Sequence, residues 1–273
     1  MPTVTIGDSD LAYEQSGSGP DVLWIAGGGD SGAPWRRWQT PAFDDAFRST
    51  TFANRGVGNT VCRAEPPWTI ADLAADAAGL IEAVCEPPVA VVGLSMGALT
   101  VLQLALDRPD LLTLGVAMGC AARGWEGWLG DYMGAEVELR RRGGRLEGRF
   151  STTHYAAMLY PAEVLGDPEL WPVVQQLLGE EFESDNEASL IGQWQACIDF
   201  DVVDRLPECE AELHVFAFEQ DVQAPPQYGR QVAELAPQAE LHLFPGMGHC
   251  SIYGHRHDTL NAEIRKILAR RYR

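Results

Sequence analysis

The chain has 273 residues, 46% of them hydrophobic and 22% charged, which fits one large globular domain or two small ones and excludes the polar composition of a disordered chain. A formal net charge of -19 repels phosphate backbones and anionic lipid alike, so neither nucleic acid nor a membrane is an expected partner. No apolar run approaches the ~18 residues of a bilayer span, and residues 1–10 lack a basic start and apolar centre, so the expected compartment is the cytoplasm.

In chain order, residues 3–15 read as two short strands about a turn at Gly7-Asp8-Ser9, and Asp21–Ile25 as a strand running straight into Gly27-Gly28-Gly29. A helix-like segment over residues 35–47 precedes a third strand at 49–54, which Arg55-Gly56-Val57-Gly58 ends. Thr69-Ile70-Ala71-Asp72 has the S/T-x-x-D/E pattern of a helix start, and Ile70, Leu73, Ala77, Leu80, Ile81 and Val84 then recur at helical spacing. Val89–Leu94 is the clearest buried strand, and residues 96–106 form a helix that is apolar nearly all round. Strands at Leu112–Met118, Leu213–Phe218 and 240–244 and an amphipathic helix at 259–270 complete the series. This alternation predicts an α/β fold with a mostly parallel sheet, helices on both faces and an antiparallel start.

Residues 121–204 break the rhythm. They hold no convincing strand but carry Trp125, Trp128, Tyr132, Tyr155, Trp171 and Trp194, which predicts a helical lid over the sheet's carboxyl edge, inserted in a core made of residues 1–120 and 205–273. Cys62, Cys85, Cys120, Cys197, Cys209 and Cys250 are scattered without a C-x-x-C pair or a histidine at ligand spacing. They read as small hydrophobes, and no metal site is expected.

The chemistry is concentrated in Gly93-Leu94-Ser95-Met96-Gly97, a G-x-S-x-G that falls between a predicted strand and a predicted helix. So tight a turn strains the serine backbone and leaves no space for side chains at the flanking glycines. A serine hydroxyl needs a base, and the base an orienting acid. His249 fits the base, because it ends the glycine-lined loop Phe244-Pro245-Gly246-Met247-Gly248-His249 after the last strand. His214 and His242 lie inside strand patterns, His255 and His257 precede the final helix and read as surface residues, and His154 belongs to the lid. For the acid, Asp221 follows the strand ending at Phe218 and precedes Ala224-Pro225-Pro226, with Glu219 as competitor. The oxyanion needs two backbone N–H donors: Met96 supplies one, and Gly28, with Gly27 behind it, the other.

Along nearly its whole length the chain resembles the α/β-hydrolase superfamily, through WIAGGG, FANRGVGNT, VVGLSMGALT, FEQDVQAPP and FPGMGH in the family's order. More narrowly, GLSMGA with the N-R-G-x-G turn and a helical lid is similar to the actinobacterial branch of bromoperoxidase-like hydrolases and aclacinomycin-methylesterase-type enzymes. Two positions depart from it: many members have His where this chain has Ala26 and Asp where it has Ala53. The resemblance implies an α/β-hydrolase fold and an acyl-enzyme route through Ser95, His249 and Asp221, with no metal or organic cofactor. The expected activity is hydrolysis of a small or medium ester or lactone, with Trp125, Trp128, His154, Tyr155 and Trp194 as candidate substrate contacts.

Two alternatives stand beside it. One is an acyltransferase or thioesterase that takes an acyl group from coenzyme A or an acyl-carrier protein, and the other is a non-catalytic binding protein. Five arginines (Arg140, Arg141, Arg142, Arg145, Arg149) against three glutamates between residues 136 and 149 read either as a solvated helix end or as a docking patch for a carrier's phosphate.

Overall fold

The computed structural model describes residues 1–181 and 186–272; residues 182–185, within the stretch expected to form a lid, lie outside the described residues. The chain opens with β1 (Thr3–Ile6) and β2 (Ser9–Gly17), an antiparallel pair with Ile6 opposite Ser9. It continues through β3 (Asp21–Ile25), β4 (Arg48–Phe52) and the two-residue β5 (Val61–Cys62). The remaining strands are β6 (Val89–Leu94), β7 (Leu112–Met118), β8 (Leu213–Phe218) and β9 (Ala239–Phe244). Their spatial order is β1-β2-β4-β3-β6-β7-β8-β9, with β5 paired to β2. β2 meets β4 antiparallel, and from β4 to β9 every pairing is parallel. The sequence pattern missed β5, which is too short to show any period.

The helices are α1 (Ala33–Trp38), α2 (Ile70–Val84), α3 (Met96–Asp107), α4 (Gly127–Arg141), α5 (Gly148–Leu159), α6 (Ala162–Leu165), α7 (Leu170–Glu181), α8 (Glu187–Ile198), α9 (Pro226–Leu235) and α10 (His257–Arg271). At the start of α2 the predicted cap is present, with the Asp72 N–H donating to Thr69 Oγ1 and the Thr69 N–H to Asp72 Oδ2. The single helix expected over residues 35–47 is a correction. Only Ala33–Trp38 is α-helical, and a 3-10 turn at Thr40–Ala42 follows. Pro41 is the physical reason, because its ring blocks the carbonyl four residues back and it has no N–H to give.

Strand alternation divides the core into two layers. Leu23, Ile25, Val91 and Val215 face α2, α3 and α9, while Val22, Trp24, Val92 and Phe216 face α1 and α10. In the second layer Trp24 meets Trp35 and Phe43 at ring-centroid distances of 5.3 and 5.1 Å. Each such aromatic side chain, buried completely, contributes on the order of 2 to 3 kcal/mol. Between β7 and β8 the chain leaves the sheet for α4 to α8. The ends of this excursion are pinned together, with the Gly124 N–H donating to Phe200 O at 2.6 Å and the Val202 N–H to Ala122 O at 2.8 Å. Among the described residues no helix is long and apolar enough to cross a membrane.

Candidate active site

Ser95 sits between the carboxyl end of β6 and the first residue of α3, with φ 56° and ψ -122°. Non-glycine residues avoid this region, and the turn holds it through bonds on both sides: the Ser95 N–H donates to Met118 O at 2.9 Å, and Ser95 O accepts from Ala98 at 2.8 Å. A Cβ at Gly93 would lie 2.3 Å from Gly97 O, and one at Gly97 would lie 2.2 Å from Ile25 O. Only glycines permit this approach of strand, turn and helix.

Asp221 and His249 come from the loops after β8 and β9. Asp221 Oδ1 accepts the Gln223 and Ala224 N–H groups at 2.8 Å each, and Oδ2 stands 2.7 Å from His249 Nδ1. The two loops are laced together by the Gln220 N–H, which donates to Met247 O at 2.8 Å. The Cys250 N–H, 2.9 Å from Leu159 O, ties the histidine loop to α5. His249 is 3% exposed, and its Nε2 is buried with no hydrogen-bond partner. This nitrogen is left open in the pocket that Ser95 also lines. The competitor Glu219 is exposed and accepts instead from the Gly246 N–H at 3.2 Å.

Ser95 and His249 line one pocket together with Met96 and the loop Gly27-Gly28-Gly29. Asn54 Nδ2 donates to Ala26 O at 3.1 Å, and Gln193 takes the Gly29 N–H at 2.8 Å while donating to Arg55 O at 2.8 Å. The pocket's cavity volume is about 110 Å³. This scale suits a small molecule rather than a macromolecule. Its walls are largely apolar, with Leu129, Met133, Leu159, Leu178 and Leu190 supplied by the excursion between β7 and β8.

Of the five candidate substrate contacts, Trp125, Tyr155 and Trp194 line this pocket, and Trp128 and His154 do not. Trp128 is 61% exposed and stacks outside on Tyr132 at 5.5 Å. His154 lies behind the wall, its Nε2 2.9 Å from the Tyr132 hydroxyl. Both fall on outward turns of helices whose apolar stripe is too weak to reveal which side faces in. His255 and His257 are also only half-exposed, His257 opening α10 with its ring 4.7 Å from that of Trp38. The arginine run is largely spent on internal partners. The Arg140 side chain is 8% exposed, lies 4.8 Å over the Trp194 ring, and pairs with Glu136 at 3.2 Å and Glu187 at 2.8 Å. Arg141 donates to Gln195, Arg142 pairs with Glu138, and Arg145 pairs with Glu147.

Four features escaped the sequence reading. Gly119, closing β7, leaves room for the imidazole, since a Cβ there would lie 2.9 Å from His249 Cε1. Gln193 ties α8 to the glycine loop. Glu136 lines the pocket and accepts from the Tyr132 and Tyr155 hydroxyls; burial pushes both phenols above their ordinary range, with Glu136 adding to the effect. Asp30, at the end of the glycine loop, also lines the pocket, and burial pushes its carboxyl up to about 7 against the Gly32 N–H and Arg36, which pull it down. The glycine loop before it was the available signal for Asp30; the other three depend on contacts distant in sequence. No two of the six cysteines form a disulfide, and burial pushes the Cys120 and Cys197 thiols up to about 12, where thiolate chemistry is suppressed.

A sequence model of the alpha/beta hydrolase family matches residues 22–263. A Mycobacterium tuberculosis protein provisionally named non-heme bromoperoxidase BpoC is 30% identical over 275 residues, covering 95% of this chain and 98% of that protein. The crystal structure of BpoC from M. tuberculosis H37Rv superposes with a TM-score of 0.88 at 29% identity, covering 96% of each chain. The enol-lactonase of Burkholderia xenovorans LB400 shares the fold with a TM-score of 0.87 at 21% identity, over 98% of this chain and 100% of that one. With the family match spanning most of the sheet and the pocket, the chain belongs to the alpha/beta hydrolase family.

Proposed function

We propose that the protein is a serine hydrolase that cleaves a small or medium ester or lactone through an acyl-enzyme on Ser95. The observation that carries the reading is the free Nε2 of His249, in a pocket it shares with Ser95, while Nδ1 is held by Asp221 at 2.7 Å. A neutral imidazole with its proton on Nδ1 has its lone pair on Nε2, where a base for the serine is needed. Ser95 Oγ attacks the carbonyl carbon as its proton passes to His249. The carbonyl oxygen takes the negative charge and is met by the Met96 and Gly28 N–H groups. As the C–O bond to the leaving group breaks, His249 returns the proton to the departing alcohol, and water repeats the sequence to release the acid.

The apolar wall favours an acyl group without charge. Expected substrates are neutral esters and lactones, in line with an enol-lactonase among proteins of the same fold. The carrier-dependent alternative loses Arg140, which is enclosed, and keeps an exposed patch in which Arg142 and Arg145 already carry glutamate partners. The test is labelling with a fluorophosphonate probe, followed by peptide mass spectrometry and turnover of p-nitrophenyl esters and lactones of graded size. Labelling on Ser95 with hydrolysis is expected. Labelling without hydrolysis but with transfer from acyl-coenzyme A returns the acyltransferase, and absence of labelling returns the binding protein.

A further inference from the structure

A second group of ligand-type side chains lies on the β8–β9 edge of the sheet, away from the serine pocket. His214 on β8 stands opposite Glu240 on β9, and His242 follows two residues later on the same face as Glu240. His214 Nδ1 is 3.0 Å from His242 Nε2, and the Glu240 carboxylate lies 3.7 Å from the first nitrogen and 3.8 Å from the second. These separations bracket about 3.3 Å, the edge of a tetrahedron whose metal–ligand bonds are about 2.0–2.1 Å long. Both imidazoles are largely buried, and Glu240 stands at the solvent side, leaving an entry path.

The outer partners sharpen the point. His214 Nε2 is 3.2 Å from the Glu212 carboxylate, and His242 Nδ1 faces Glu263 of α10 at 3.7 Å. A neutral imidazole that gives its N–H to a carboxylate keeps its lone pair on the other nitrogen. With Nε2 of His214 bonded to Glu212, its Nδ1 is left as an acceptor 3.0 Å from His242 Nε2, and the Glu240 carboxylate lies within 4 Å of both nitrogens. A cation can bridge two imidazole nitrogens and a carboxylate brought this close, and a carboxylate near the far nitrogen of each histidine, Glu212 at 3.2 Å and Glu263 at 3.7 Å, is the usual support of a zinc site.

We propose that His214, His242 and Glu240 bind a divalent zinc ion, with water completing the shell. The ion clasps edge strand β9 to β8, the two strands whose carboxyl-end loops carry His249 and Asp221. Its role is structural, because the site sits along the strands and not in the pocket. The cluster escaped the sequence reading because the two histidines are separated by a whole helix, α9, and only strand pairing joins them.

The test uses the tag-free full chain, stripped with a chelator and titrated with Zn²⁺ and, as a spectroscopic probe, Co²⁺. One ion per chain is expected, with the intense visible absorption of four-coordinate Co²⁺ and a zinc-dependent rise in thermal midpoint. His242→Ala should abolish both signals, and Glu212→Gln should weaken binding by about 10- to 100-fold. His249→Ala should bind as the wild type does. Absence of stoichiometric binding by the folded wild-type chain, which leaves a histidine–histidine hydrogen bond or a shared proton as the account, overturns the proposal. So does binding that survives His242→Ala or is lost in His249→Ala.

Discussion

Asp221→Asn tests the proposed mechanism most sharply, because the surrounding backbone dictates how the new amide must sit. Asp221 Oδ1 accepts two N–H groups, from Gln223 and Ala224, at 2.8 Å each. An asparagine can satisfy these only with its oxygen, since turning the amino group there sets donors against donors. The NH₂ group then faces His249 Nδ1, where the carboxylate oxygen stood at 2.7 Å. Nδ1 is forced to accept, the ring proton moves to Nε2, and the base toward Ser95 is lost. A histidine held in the wrong tautomer costs roughly 10⁴ in kcat, about 5.4 kcal/mol of transition-state stabilisation. KM for a p-nitrophenyl ester should hardly change, because position 221 acts through the histidine. Both backbone bonds survive, so the circular dichroism spectrum should match the wild type. Glu219→Gln is the control: an exposed side chain bonded only to the Gly246 N–H at 3.2 Å should change the rate by no more than about twofold. A folded Asp221→Asn enzyme within tenfold of wild type, or a larger loss in Glu219→Gln, would refute the reasoning.

Ser95→Ala and Ser95→Gly should both lose on the order of 10⁶ in kcat. The glycine variant should unfold at higher urea than the alanine variant, because φ 56° strains any residue with a Cβ by about 1 to 3 kcal/mol; equal midpoints would count against the strain. Asp30, raised to about 7 by burial, holds its proton more tightly folded than unfolded, so its contribution to stability falls as pH rises from about 4 to 7 and the penalty is complete above 7. Asp30→Asn should therefore gain stability at pH 8, by at most about 4 kcal/mol and less where solvent reaches the group, with no gain near pH 3.5; an equal gain at both pH values contradicts this account. Arg140→Gln, which leaves buried Glu136 without its cation and Glu187 with Arg145 alone, should cost about 3 to 5 kcal/mol in urea unfolding. Exposed Arg142→Gln should cost under about 0.5 kcal/mol and leave neutral-ester turnover unchanged, and a reversed order would contradict the burial argument.

The central parallel strands were legible because they are buried on both faces and read as apolar runs that end at glycine turns, as Asp21–Ile25 and Val89–Leu94 do, whereas edge strand β9 (Ala239–Phe244) is largely half-buried or exposed. The serine turn was legible because its residues are consecutive: Gly93 is demanded by the Gly97 backbone within the strand–helix join, while Gly97 is demanded by the Ile25 backbone of neighbouring β3. What stayed hidden depends on side chains that meet across long sequence distances. Nothing local to Trp128 or Trp194 tells that one points to solvent and the other over the glycine loop, because α4 and α8 lack a strong apolar stripe. The arginine run read as a solvated helix end or a docking patch, and enclosed Arg140 fits neither, because its partner Glu187, which also meets Arg145, lies far along the chain.

How the glycine loop is held with Ala26 in front of it, where the resemblance leads one to expect histidine, is answered by those distant contacts. Ala26 offers no side chain to hold the glycine loop, yet the loop's geometry must be fixed before the reaction if its N–H groups are to stabilise charge. Asn54, on the turn after β4, donates to Ala26 O, and Gln193 of α8 bridges the Gly29 N–H to Arg55 O. Arg55 is itself locked to buried Asp76 of α2 by bonds of 2.5 and 2.9 Å. The glycine loop is therefore braced from the sheet on one side and from α8 on the other. Any displacement of α8 that breaks the Gln193 bonds leaves the Gly29 N–H and Arg55 carbonyl unpaired, so on the proposed mechanism the position of this helix and the readiness of the oxyanion site are set together.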